Sequence, residues 1–147
     1  MIIETFIQIL ISSLVATSVM TLFSYIISES FRELYKEPVL LSYCLTALAI
    51  SLSAKTKNVL GWIIHYAIGF LFVFGYYLLW ENEIISETWI AAFILGAISG
   101  IIGILSWVII FKISDYNPKI DFKGYYLQLF FVHVIFGLSA FAVYTLF

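Results

Sequence analysis

Residues 89–113 read WIAAFILGAISGIIGILSWVIIFKI, with Lys112 the single charge among them. A helix rises about 1.5 Å per residue and the hydrocarbon core of a bilayer is about 30 Å thick, so about 20 apolar residues make one crossing. This stretch meets that length alone. Its small residues are ordered as well: Ala92, Gly96 and Gly100 recur at every fourth position, with Gly103 after them. Such a ladder lies on one helix face and lets a second backbone approach closely, gaining contacts that lipid cannot match.

The rest of the chain repeats the pattern. Across 147 residues, 63% are hydrophobic and 11% charged, against about 45–50% and 25% in soluble domains. The fold class expected is therefore an all-α integral membrane bundle, one transmembrane domain over residues 1–147. Its apolar segments cover about 2–27, 39–54, 59–80, 89–113 and 125–147. Nothing at the start has the form of a cleaved signal peptide, so Met1 onward is expected to begin the first helix. A net charge of −2 speaks against nucleic acid as a partner and leaves the lipid bilayer as the first one. Cys44 is the sole cysteine, which excludes an intrachain disulfide and thiolate metal clusters.

The segment over 39–54 is at the short limit for a span. Hydropathy predicts five transmembrane helices, with four plus a short interfacial helix as the alternative. Basic residues stay cytoplasmic, which puts the 55–58 and 112–124 loops inside and the acidic 81–88 loop outside. The two counts differ only at Arg32 and Lys36: five spans put them outside, four put all seven basic residues inside. Their interleaving with Glu29, Glu33 and Glu37 at i,i+3 and i,i+4 spacing ties them up locally and softens that objection to five.

Both histidines fall inside spans. His65 is followed by Gly69 and Tyr76, and His133 by Gly137 and Tyr144, at the same offsets. Each follows an inward basic loop by ten residues (Lys55 and Lys123). The spacing predicts an internal repeat, a duplicated helical hairpin, with the two imidazoles at similar depth on parallel helices. Ser13, Thr17, Thr21 and Ser24 add a hydroxyl stripe along the first helix, expected to pack on the ladder of the fourth.

The His-x3-Gly pattern in two helices, with Ala16-Thr17-Ser18-Val19-Met20 in the first, resembles uncharacterised small multi-span bacterial membrane protein families. That resemblance implies a helical membrane fold, with a bacterial inner membrane as the expected location, and no chemistry. No nucleophile–base pair, metal-ligand cluster or phosphate loop argues for an enzyme, and no cofactor is expected. The function expected is a non-enzymatic accessory or structural subunit, or a small oligomeric transport component, working as a homo-oligomer or in a larger membrane complex. In its plain role each imidazole hydrogen-bonds a neighbouring helix. The alternative is a b-type haem electron carrier with His65 and His133 as axial ligands.

Overall fold

A computed structural model of the chain describes residues 2–147; the expectation for Met1 lies outside them. Among the described residues there are five helices and no strand: α1 (Ile2–Phe31), α2 (Glu37–Ala47), α3 (Ala54–Glu81), α4 (Trp89–Ser114) and α5 (Phe122–Tyr144). Four of them, all but α2, are long and apolar enough to cross a membrane. The protein is a polytopic membrane protein with a helical-bundle fold.

Helix boundaries follow local chemistry. Ser53, Thr88 and Asp121 cap α3, α4 and α5, each side chain accepting from a backbone N–H of the first turn, which satisfies donors a helix start leaves open. Pro38 occupies the first turn of α2, where its missing N–H costs nothing.

The second segment departs from the five-span expectation. Instead of a span over 39–54, helix α2 has 11 residues, about 16 Å, and the chain leaves it with Ala49 in the left-handed region at φ 54°. The described residues thus comprise four helices of spanning length and one short helix, so a fifth span is not shown. That short helix is not laid on a surface: Glu37, Pro38, Leu40, Leu41, Ser42 and Cys44 are all buried. Hydropathy records that a segment leaves water, not whether lipid or protein receives it. Here α3 and α4 receive it.

The long helices alternate in direction. Gln8 of α1 donates to the Tyr144 carbonyl of α5 at 2.8 Å, while Ser24 of α1 meets Gln128 of α5 and Thr21 meets His65 of α3. Helix α1 is thus antiparallel to both α3 and α5. All seven lysines and arginines collect at one end of the bundle, with the 32–36, 48–53 and 115–121 connections. At the opposite end the charged residues are Glu4, Glu81, Glu83 and Glu87.

Around the bundle the order is α3, α1, α5, α4. The ring does not close, because α3 and α4 barely pack on each other. At the basic end α2 bridges them, and toward the acidic end Tyr76 of α3 reaches Ser99 of α4 at 2.6 Å. The inside is unusually rich in small polar groups: Ser12, Ser13, Thr17, Thr21, Ser24 and Ser28 of α1 are all buried. The outside carries Ile90, Leu71 and Ile109, more than half exposed. Lipid would solvate that surface without cost, and buried hydroxyls give the helices directional contacts with one another.

The small-residue ladder of α4 packs on α5, not on α1 as the hydroxyl stripe suggested. A Cβ at Gly96 would lie 2.8 Å from the His133 carbonyl oxygen, and one at Gly137 would lie 2.6 Å from the Ala92 carbonyl oxygen. Gly96 and Gly137 therefore notch each other, and Gly100 sits on the Phe130 backbone. Within the α1 stripe Thr17 and Thr21 serve α3 instead, Thr17 filling the place where Gly69 lacks a side chain, while Ser24 serves α2 and α5.

Candidate functional site

Between the two ties joining α3 to α4 lies a cavity of about 470 Å³ to which all five helices contribute. His65 and His133, on parallel helices, both border it, as do Thr17, Gly69 and Gly103. Most of the remaining wall is apolar, including Phe72, Trp107 and Phe136. On the α3 and α4 side its rim is formed by Ile68, Leu71 and Ile102, all exposed on the lipid face.

Hydrogen bonding assigns a tautomer to each imidazole. Thr21 Oγ1 donates its one proton to the Thr17 carbonyl at 2.6 Å, so it accepts from His65 Nε2 at 2.8 Å. His65 then keeps its lone pair on Nδ1. In His133, Nδ1 lies 2.7 Å from the Leu129 carbonyl, which can only accept, so Nδ1 carries the proton and Nε2 the lone pair. Gly103 makes room there: a Cβ at that position would stand 3.1 Å from His133 Nε2. Phe72 meets the His133 ring edge-on at 5.9 Å. Each histidine is locked by one nitrogen and keeps the other as an acceptor.

A third titratable group borders the cavity, and it is a carboxyl. Glu37, at the start of α2, is 2% exposed. Its Oε1 accepts from Ser24 Oγ at 2.8 Å, and Ser24 in turn accepts from Gln128 Nε2 at 2.7 Å. Its Oε2 and the Gln128 Oε1 are buried without a partner. Burial pushes the Glu37 carboxyl up to about 7, against the opposing pull of its backbone, Ser24 and Gln128 hydrogen bonds. Sequence reading had grouped Glu37 with Glu29 and Glu33 as helix-surface charges around Lys36. Lys36 instead pairs with Glu29 at 2.5 Å and lies 4.9 Å over the Tyr25 ring, leaving Glu37 to the interior. The available signal was its place beside Pro38, at the very start of an apolar segment.

The other sequence-selected residues lie elsewhere. Tyr76 borders a shallower groove that follows the α3–α4 seam toward the acidic end. Tyr144 is at that end, 4.9 Å from the Trp80 ring. Ala92, Gly96, Gly100 and Gly137 form the α4–α5 seam, and Ser13 bonds the Leu10 carbonyl of its own helix. Among the described residues no three His, Cys, Asp or Glu side chains come together as a metal site.

Comparison of the chain with protein-family models, with curated proteins and with solved structures finds no match to any of them. The reading of the cavity therefore rests on its own geometry.

Proposed function

We propose that the protein is a non-enzymatic transport or carrier component that takes a small, mostly apolar molecule from the bilayer into its central cavity. The observation that carries this is the unclosed seam between α3 and α4, whose rim residues Ile68, Leu71 and Ile102 face lipid while the cavity behind holds two imidazole acceptors and a carboxyl. Purely structural histidines would be expected to pack into a filled interior, since protein cores leave few voids. A lateral entrance suits a solute already dissolved in lipid.

Trp107 lines the cavity and Trp80 does not, although both are almost fully buried. In single-tryptophan proteins, a brominated alkane dissolved in the bilayer is expected to quench Trp107 strongly and Trp80 weakly. Equal shielding of the two would rule out an open seam.

The orientation proposed places the basic end in the cytoplasm, because all seven Lys and Arg then obey the rule for cytoplasmic charge. The 55–58 and 112–124 loops are then inside, and the 81–88 loop outside.

A second reading, a b-type haem held by His65 and His133, draws support from His133. Its Nδ1–H is braced on a carbonyl with Nε2 left for a metal. It requires His65 to give up Thr21 or to ligate through Nδ1. A visible spectrum of the reduced protein with a sharp α-band, lost on His133→Ala, would favour it.

A further inference from the structure

We propose that the ligand of this cavity is an amphiphilic organic cation, and that it exchanges with a proton on Glu37. This rests on the reading of the cavity as a bilayer-facing binding site and deepens it.

The inference comes from what the cavity offers and what it lacks. Its free titratable groups are acceptors, His65 Nδ1, His133 Nε2 and the ionised Glu37 Oε2, while the Thr17 and Ser106 hydroxyls on the same wall are neutral and can donate or accept. Phe72, Trp107 and Phe136 present aromatic rings, whose faces attract a desolvated cation. Among the described residues no lysine or arginine borders the cavity. An acid buried with no cation beside it is costly as a carboxylate, so it either keeps a proton or acquires a positive partner. An anionic ligand would add repulsion to that cost.

The groups facing Glu37 support this from each helix. From α1 come Ser24 and the Tyr25 ring, from α3 His65 across the cavity, and from α5 Tyr125, Gln128 and His133. On α2 itself Cys44 is a neutral thiol whose own shift comes from burial, and the adjacent Lys36 is drawn to Glu29. Helix α4 contributes no titratable group, since its one such residue, Lys112, is exposed. Tyr125 has a buried hydroxyl without a partner and could donate to the carboxylate, but it is neutral and cannot offset the charge. The exchange balances simply: the cation enters, the Glu37 carboxylic acid becomes a carboxylate paired with it, and one proton leaves to water. Because burial holds that proton up to about pH 7, ligand and proton compete near neutrality.

Tetraphenylphosphonium and its isosteric anion tetraphenylborate test this on the full chain in non-ionic detergent. The cation is expected to bind tightly at pH 8.5 with almost no proton released, because Glu37 is already ionised there, and at pH 6 with about one proton released per cation. Its apparent Kd should rise about tenfold per pH unit below 7, and the anion should bind at least tenfold more weakly than the cation. Glu37→Gln should remove the proton release and the pH dependence. Glu29→Gln, at an exposed site, should change neither. Equal binding of the two ions, binding at pH 6 without proton release, or no binding of either ion at pH 8.5 would overturn the cation inference. None of these outcomes requires a folded variant. The tryptophan-quenching result judges the cavity reading separately: strong Trp107 quenching with no cation preference leaves an apolar-ligand cavity, and no quenching with no binding removes both.

Discussion

Glu37 shows how much a single side chain depends on its surroundings. Its pKa in the fold is about 7 against an ordinary 4.5, so between those values the folded protein holds a proton that the unfolded chain has lost. Stability from this group is therefore fully present below about pH 4.5 and falls as pH rises through about 7. A shift of that size corresponds to about 3 kcal/mol. The wild type is expected to lose several degrees of melting temperature between pH 5 and pH 8 in detergent. Glu37→Gln should flatten that slope and be the more stable protein at pH 8; an unchanged slope would mean that Glu37 is not the titrating group. The histidines differ in being legible from sequence. Two imidazoles in apolar segments draw attention at once, whereas a glutamate among other charges does not.

Glycine spacing on the helices was readable; the choice of partner was not. A four-residue ladder marks a face fit for close approach, and Ala92, Gly96 and Gly100 do form such a face. Which helix fills it depends on a complementary notch, and Gly137 of α5 provides one where the hydroxyl stripe of α1 does not. The seam gives a sharp contrast between two substitutions. A Cβ at Gly96 would stand 2.8 Å from a backbone oxygen, whereas one at Gly75 would meet nothing within 4 Å. Gly96→Ala is expected to lower the melting temperature by several degrees, because backbone cannot yield as a flexible side chain can. Gly75→Ala should leave it unchanged or raise it slightly, by helix propensity. Similar losses at both positions would show that the α4–α5 contact is not the one described.

For the molecule as a whole, the gathering of seven basic residues at one end and four glutamates at the other makes orientation testable. In a Cys44→Ser background, Leu34→Cys is expected to react with an impermeant thiol reagent only after the membrane is opened, and Ile85→Cys to react in intact cells. Labelling of both from outside would restore a fifth span. The amino-acid sequence by itself determined that the chain is a helical membrane protein. It also placed the four long helices and singled out the two intramembrane histidines, because spanning length and intramembrane polarity are properties of local composition. It could not decide the role of the segment after Pro38, since burial by lipid and burial by α3 and α4 look alike in hydropathy. Only the tertiary structure decided that α2 turns back into the bundle, carrying Glu37 to the cavity that His65 and His133 share. That arrangement is set by contacts between residues more than a hundred positions apart, such as Ser24 with Gln128, and no local pattern encodes it.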